Sequence, residues 1–263
     1  MWPFSKKRTI AQSGILAGCT DHHSHILPGV DDGVESMDEA LRILATYEAA
    51  GVKELWLTPH IMEDIPNTPD KLRARFAELT ARYKGSITLH LAAEYMIDNH
   101  LRSLLMNCHS VTNNCPSFER GTSNAGSIAE GDTLLPIGTK GNHLLVETSY
   151  FNPPMRLHET LRQIKSLGYH PLLAHPERYM YMDEEEYIRL HQEGVKFQLN
   201  LPSICGGYGN TVKKRAQWLL KKGLYDVIGS DTHCEEGVEY LLRSRHKEKD
   251  LRALQTLLSQ TLR

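Results

Sequence analysis

Asp21-His22-His23-Ser24-His25-Ile26-Leu27-Pro28-Gly29-Val30-Asp31-Asp32-Gly33 is the stretch on which the reading of this chain turns. A strand over 17–23 leads into it. Side chains alternate faces along a strand, so His23 and His25 share one face while His22 points the other way. A lone His-x-His packs more often than it ligates. Its meaning depends on whether the other strands of the chain end in the same kind of residue.

They do. Ser36-Met37-Asp38-Glu39 has capping-box spacing and opens a helix through Ala50, stopped by Gly51. A strand over 52–57 ends at Thr58-Pro59-His60. Thr68-Pro69-Asp70 starts a helix to about 84, and 87–93 alternates into Glu94 before a short helix over 98–107. The strand at 143–146 ends at Glu147, and the helix at 155–167 stops at Gly168. The strand at 171–174 ends at His175. A helix over 184–193, a strand over 195–200 and a helix over 211–222 follow. The strand at 225–229 ends at Ser230-Asp231-Thr232-His233, and helical stretches over 236–247 and 250–262 finish the chain. Seven strands alternating with helices argue for a parallel α/β architecture. The segment 107–131, rich in Asn, Ser, Gly and Thr without periodicity, reads as a long polar loop within a single domain spanning 1–263.

Composition bounds the function. The 263 residues carry 30 Lys+Arg against 32 Asp+Glu, a formal net charge of -2, which argues against a nucleic-acid-coating or polybasic membrane protein. With 24% charged and 40% hydrophobic residues the chain is globular. No stretch approaches the roughly 18 apolar residues of a membrane span. Met1-Trp2-Pro3-Phe4-Ser5-Lys6-Lys7-Arg8 is basic and Leu16-Ala17-Gly18-Cys19 resembles a lipoprotein cleavage box. Gln12, Ser13 and Gly14 break the hydrophobic region between them, and cleavage at Cys19 would set a lipid four residues from His23. The cysteines at 19, 108, 115, 205 and 234 form neither a disulfide framework nor a CxxC clip, which suits a reducing cytoplasm. Fourteen histidines remain to be explained.

The polar strand tips are His23, His25, His60, Glu94, Glu147, His175, Asp231 and His233. In a barrel of parallel strands these ends converge on one face. A doubly wound sheet gathers them along an edge, but so many polar tips are easier to satisfy around a closed ring. Imidazoles and carboxylates brought together repel, or stay unsatisfied, unless cations neutralise them. A set without thiolates favours Mn²⁺, Fe²⁺ or Zn²⁺ over Cu(I) or an iron–sulfur cluster. Taken singly each residue has a plainer reading: a strand-ending turn at His60, a helix cap or salt bridge at Glu94 and Glu147, an N-cap with a core histidine at Asp231 and His233. Cys108, His109 and Cys115 are a weaker candidate metal set in a solvated loop.

The opening stretch closely resembles the signature of bacterial capsule and exopolysaccharide tyrosine-protein phosphatases of the polymerase-and-histidinol-phosphatase (PHP) superfamily. Thr58-Pro59-His60, Glu94, Leu145-Val146-Glu147, Ala174-His175-Pro176-Glu177-Arg178 and Ser230-Asp231-Thr232-His233 follow in that family's order. The resemblance implies a distorted TIM-like (β/α)7 barrel with three divalent metal ions, usually described with manganese, with iron or zinc as alternatives. It implies that His23, His25, Glu94 and Asp231 hold one ion, that Glu94 bridges to a second completed by Glu147 and His175, and that Asp32, His60 and His233 hold the third. Arg178 matches the arginine that binds phosphate or assists the leaving group. Glu177 is expected to orient it through a salt bridge, and Asp31 to serve a turn. The resemblance further implies a partner, the phosphotyrosine-bearing tail of a membrane-bound tyrosine autokinase, and no nucleic acid. The segment 107–131 departs from the family pattern and bears on loop shape more than chemistry.

The implied activity is phosphotyrosine hydrolysis without a cysteine nucleophile, since no Cys-x5-Arg loop leads to Arg178. A small-molecule phosphomonoesterase such as a histidinol-phosphate phosphatase, or a nuclease, would use the same centre, and only residues at the mouth decide. Residues 146–154 and 198–209 supply aromatic and small polar groups there; Tyr150 and Phe151 are placed either to stack on a phosphotyrosine ring or to pack. A non-enzymatic module binding the kinase tail would show missing ligands, and none is missing.

Overall fold

The computed structural model describes residues 7–112, 134–260 and 262. Most of the polar segment 107–131, including Cys115 and the side chain of His109, lies outside the described residues. The strand β1 (Lys7–Thr9) runs into a one-turn helix α1 (Ile10–Ser13), where Thr9 Oγ1 accepts from the Gln12 N–H at 3.0 Å. Next come β2 (Thr20–Asp21) and α2 (Met37–Ala49), whose N-cap Ser36 accepts from the Glu39 N–H, as the Ser-x-x-Glu spacing requires. β3 (Glu54–Leu57) and β4 (His60–Ile61) flank Pro59, which has no N–H for a ladder. α3 (Pro69–Arg82) opens on Thr68 with proline at its first position, and β5 (Thr88–Leu91), β6 (Glu94–Met96) and α4 (Asn99–Thr112) follow. The second half runs β7 (His143–Glu147), α5 (Leu157–Ser166), β8 (His170–Ala174), a 3₁₀ turn (Pro176–Arg178), α6 (Glu184–Gln192) and β9 (Lys196–Asn200). It closes with α7 (Leu201–Cys205), α8 (Gly209–Lys222), β10 (Val227–Gly229), α9 (Glu235–Arg243), β11 (Arg245–Lys247) and α10 (Glu248–Leu258).

The fold is mixed α/β. Six parallel strands form one sheet in the order β10-β9-β8-β7-β6-β4, and three parallel strands form another in the order β2-β3-β5. The expected strands 52–57 and 87–93 appear as β3 and β5, and each is followed after a break by a further short strand, β4 or β6, that starts at the polar tip His60 or Glu94. The backbone still carries hydrogen bonds between the sheets. Asp231 N–H donates to His23 O at 2.8 Å and His25 N–H to Thr232 O at 2.9 Å, tying the chain after β2 to the chain after β10. Glu94 N–H donates to Pro59 O at 3.1 Å, across the other break. The registers pair His60 with Glu94 and Met96 with Glu147, so the C-terminal ends of the strands lie level.

Period-two alternation decides what those ends present. On β7, Leu144 and Val146 join the large core under the helices, whereas Leu145 joins an inner cluster with Ala92, Ile137, Leu172, Ala174, Val227 and Leu262. His143, Leu145 and Glu147 therefore share the inner face, with Glu147 at its C-terminal end. An inner layer of small and aliphatic side chains floors the polar tips. Gly229 lies on this face, and a Cβ there would collide with His23 and the Gln198 side chain.

Two elements differ from expectation at the far end of the chain. The helix expected over 236–247 stops at Arg243, because Ser244 is extended and residues 245–247 pair antiparallel with Lys7–Thr9. That pairing joins residues at opposite ends of the chain, Arg8 opposite His246 at its centre, beyond the reach of local periodicity. The strand 7–9 and its short helix were likewise unexpected.

Candidate metal centre

His23 comes off the end of β2 with its Nδ1 donating to Gln198 Oε1 at 2.9 Å. The Gln198 amide is oriented by its own Nε2, which donates to Leu199 O at 2.6 Å. With the proton on Nδ1, His23 Nε2 is left with its lone pair. His25 is held the same way, its Nδ1 donating to Asp31 Oδ2 at 2.8 Å. The two Nε2 atoms then face each other at 3.0 Å. Glu94 Oε2 stands 3.2 Å from His23 Nε2, 3.3 Å from His25 Nε2 and 3.2 Å from His60 Nδ1, and Glu94 Oε1 stands 3.2 Å from His175 Nε2. Neither oxygen of this fully buried carboxylate has a partner in hydrogen-bond geometry among the described residues.

The other tips close on the same point. His60 Nδ1 is 3.2 Å from Glu147 Oε1 and its Nε2 3.4 Å from Asp32 Oδ1. His175 Nε2 is 3.7 Å from Glu147 Oε2. Asp231 Oδ1 lies 3.5 Å from His23 Nε2, and 3.6 Å from both His25 Nε2 and His233 Nδ1. His233 Nε2 is 3.6 Å from Asp32 Oδ1. All nine residues singled out from the sequence as ligands thus converge. Asp32 alone is open, with 64% of its side chain exposed.

Charge is frustrated here without a cation. Burial raises the pKa of Glu94, but the surrounding imidazoles, His23 first, override it and hold the carboxyl well below its usual range. Glu147 goes the other way: burial and then the neighbouring Glu94 and Asp231 charges push it well above the usual range. Asp231, buried but ringed by His23, His175, His25 and His233, sits at about 2. His60 is pushed down to about 4 by burial and by the charge on His25. Three sets of donors, His25/Asp32/His60/His233, His23/His25/Glu94 and His60/Glu94/Glu147, each bring their ligand atoms within 4.8 Å of one another. Orphaned carboxylate oxygens and imidazole nitrogens turned toward one another fit divalent cations in these places.

The backbone is strained where it aims two of these residues. His175 and Asp231 adopt φ of 33° and 53°, a left-handed conformation costly for residues with a Cβ. Arg178 lies beside them. Its Nη1 donates to Asp231 Oδ2 at 2.9 Å, and its guanidinium is sandwiched between the rings of Tyr150 and Tyr208, 4.2 and 4.1 Å from their centroids. Asn200 Nδ2 donates to the same Asp231 oxygen at 2.6 Å, leaving Oδ1 to face the cluster.

Two expectations are corrected. Glu177 does not pair with Arg178: it turns into the core, where Tyr225 Oη donates to it at 2.9 Å and the Asn200 N–H at 3.0 Å. Adjacent positions on a 3₁₀ turn project apart, and Asp231 takes the arginine instead. Asp31 is more than a turn residue. Besides accepting from Gly33 N–H at 3.1 Å it orients His25 and accepts from the His60 N–H at 3.0 Å. Gln198 and Asn200 were expected at the mouth and instead orient ligands. Their alternate placement on β9, the one strand of the six-stranded sheet without a ligand at its tip, is the signal that marks them. His22 lies apart from the cluster, its Nδ1 3.2 Å from Ile228 O. Tyr150 and Phe151 part company: the first ring covers Arg178, the second stands in solvent.

A parallel α/β fold whose strand ends gather buried histidines and carboxylates around orphaned oxygens is the architecture of metal-dependent hydrolases. The chain belongs to the CpsB/CapC family of capsular polysaccharide synthesis proteins, whose sequence model matches residues 19–115 and 129–244. The gap in that match, 116–128, falls inside the polar segment. The tyrosine-protein phosphatase CpsB of Streptococcus pneumoniae is 26% identical over 220 residues, 81% of this chain and 82% of that protein. The tyrosine-protein phosphatase YwqE of Bacillus subtilis is 23% identical over 217 residues, 81% of this chain and 76% of its own length. In structure, the chain matches one from the crystal structures of YwqE and CpsB, described as metal-dependent tyrosine phosphatases, with a TM-score of 0.69. The match has 20% identity and covers 90% of this chain and 86% of that one. A lactonase from Listeria monocytogenes shares the fold more distantly, with a TM-score of 0.51 at 12% identity over 90% of this chain and 86% of its own.

Proposed function

We propose that this chain is a metal-dependent protein-tyrosine phosphatase, acting on the phosphotyrosine-bearing tail of a bacterial tyrosine autokinase that controls capsule or exopolysaccharide synthesis. The observation that carries this reading is Glu94, fully buried, with both oxygens unpartnered among four imidazoles. The relatives named as tyrosine-protein phosphatases, aligned over four-fifths of the chain, supply the substrate class. The reading takes the two parallel sheets together as one distorted TIM-like (β/α)7 barrel, in a single domain spanning 1–263 that works in the cytoplasm. Among the described residues, no helix is long and apolar enough to cross a membrane.

Three divalent ions, manganese first with iron or zinc as alternatives, would be held by His23, His25, Glu94 and Asp231, by Glu94, Glu147 and His175, and by Asp32, His60 and His233. Such ions supply Lewis acidity for phosphate oxygens and acidify water for attack on phosphorus. The rest falls to the chain. Gln198 and Asp31 keep the Nδ1 protons of His23 and His25 in place, so that both Nε2 lone pairs face the centre. Arg178 has four N–H donors beyond the one on Asp231, and a guanidinium matches phosphate oxygens geometrically. Tyr150 and Tyr208 fix the plane of that guanidinium. The phosphoryl transition state asks mainly for this kind of positioning and charge.

The test is hydrolysis of p-nitrophenyl phosphate and of a phosphotyrosyl peptide by Mn²⁺-loaded protein. Turnover lost to a chelator and to His23→Ala is expected. No turnover by metal-replete protein, or activity indifferent to His23→Ala, would overturn the assignment.

A further inference from the structure

The loops around the metal centre carry an apolar surface that a small phosphate ester would not touch. Six large hydrophobic side chains are exposed among the described residues, and four of them stand on the loops that follow β7, β8 and β9: Phe151 at 74%, Met155 at 85%, Met180 at 45% and Tyr208 at 39%. Exposed hydrophobics are ordinarily scattered, so their gathering at one mouth marks a contact surface. The surface is firmly built. The Thr148 N–H donates to Tyr179 Oη at 3.2 Å, while Thr148 Oγ1 and Tyr181 Oη share a hydrogen bond at 2.6 Å. The Met180 N–H donates to Tyr150 O at 2.7 Å. The β7 and β8 loops are thereby joined as one rim, and that rim is continuous with the Arg178 sandwich through Tyr150.

We infer that this rim is a subsite for apolar side chains flanking the phosphotyrosine of an extended polypeptide substrate. The inference rests on the phosphatase reading above and adds to it which substrates the centre prefers. With its phosphate at Arg178, a phosphotyrosine carries its backbone outward to the rim. An extended chain then advances about 3.3 Å per residue, and the neighbouring side chains come over Phe151, Met155 and Met180. The rim leads on to a groove of ≈ 530 Å³ between α5 and α6, where Pro153, Pro154 and Tyr181 lie among charges of both signs, Arg156 and Arg189 against Asp183 and Glu186. A groove of mixed charge suits a polypeptide backbone rather than a polyanion. A free phosphomonoester such as an amino-alcohol phosphate would end at Arg178 and leave the rim bare.

The experiment compares Mn²⁺-loaded wild type with Phe151→Ser/Met155→Ser on three substrates: p-nitrophenyl phosphate, a phosphotyrosyl peptide flanked by leucines, and the same peptide flanked by glycines. Both substituted side chains are exposed, and equal melting temperatures establish that the variant is folded. The wild type is expected to favour the leucine peptide over the glycine peptide about tenfold in kcat/KM, chiefly through KM. The double variant is expected to lose that preference, so that its ratio of leucine-peptide to p-nitrophenyl phosphate kcat/KM falls about tenfold. Turnover of all three substrates with no dependence on the flanks would overturn the subsite while leaving the phosphatase reading intact. No turnover of any substrate would overturn the phosphatase reading and the subsite with it. A wild-type dimer that becomes monomeric in the variant, at unchanged peptide preference, would assign the rim to contact between copies of this chain and overturn the inference.

Discussion

His23 Nε2 and His25 Nε2 face each other at 3.0 Å, and each ring already donates its Nδ1 proton elsewhere, to Gln198 and Asp31. At that distance the two nitrogens can share only one proton, and Glu94 Oε2, 3.2 and 3.3 Å from them, has no partner in hydrogen-bond geometry among the described residues. The arrangement is favourable once cations occupy it, so part of the folding free energy is stored as binding energy for metal.

Adding Mn²⁺ or Zn²⁺ to chelator-stripped protein is therefore expected to raise its melting temperature. At a free metal concentration of about 100 times Kd, one site contributes about 2.7 kcal/mol. Glu94→Gln, which removes a charge central to the cluster, is expected to abolish most of that rise. Calorimetry of both proteins with and without metal checks it; an identical rise in the variant would place the metal elsewhere.

Gln198→Ala and Asp31→Ala are expected to weaken metal affinity about 10- to 100-fold each while leaving the fold intact. Neither side chain belongs to the ligand set, but each fixes the tautomer of an imidazole that does. Titration with a competing chelator measures the loss. Unchanged affinity would mean that packing alone holds the two rings.

These two residues show where legibility from sequence ends. The ligand tips were readable because alternation puts a polar side chain at the end of an apolar run, and His23, Glu94, Glu147 and His175 each break such a run. Gln198 and Asp31 announce polarity but not whom they bond, since the partners lie 175 and 6 positions away and only the closed fold joins them. Glu177 misled for the same reason: its neighbour Arg178 offered a local partner, while Tyr225, 48 positions on, took it. The strand at 245–247 read as helix because its partner is the first described strand. Pairing decided what local pattern could not.

Arg178→Lys is expected to fare little better than Arg178→Ala, each lowering kcat/KM for p-nitrophenyl phosphate about 100-fold. A guanidinium stacks between the rings of Tyr150 and Tyr208 while bonding Asp231; an ammonium reproduces neither the plane nor the fork. Steady-state kinetics on metal-loaded variants decides, and full rescue by lysine would reduce the role of Arg178 to charge.

Gly229→Ala is expected to destabilise the protein by about 1–3 kcal/mol and to lower metal affinity as well. A Cβ at this position would collide with His23 Cβ and the Gln198 amide, so the backbone or the ligand must shift. A denaturant titration paired with a metal titration separates the two losses. Stability lost with metal affinity intact would show that the backbone gives way and His23 does not.

Glu177 supplies a pH dependence that does not involve the metal. It is fully buried, and burial outweighs the hydrogen bonds from Tyr225 Oη and the Asn200 N–H, raising its carboxyl to about 7. The folded state then holds its proton more tightly than the unfolded state, whose value lies near 4.5. The associated stability is fully present below pH 4.5 and is lost as pH rises through 7, a change of about 3 kcal/mol. Glu177→Gln keeps an acceptor for the Asn200 N–H, turns its amide N–H toward the Tyr225 hydroxyl oxygen, which can accept it, and removes the ionisation. The variant is thus expected to gain on wild type progressively between pH 5 and pH 8, with the difference between their melting temperatures flat above that window. Differential scanning calorimetry across the range, at fixed metal concentration, tests it. A difference that does not change with pH would mean that the Glu177 carboxyl titrates normally in the fold and that its bonds to Tyr225 and Asn200 compensate its burial in full.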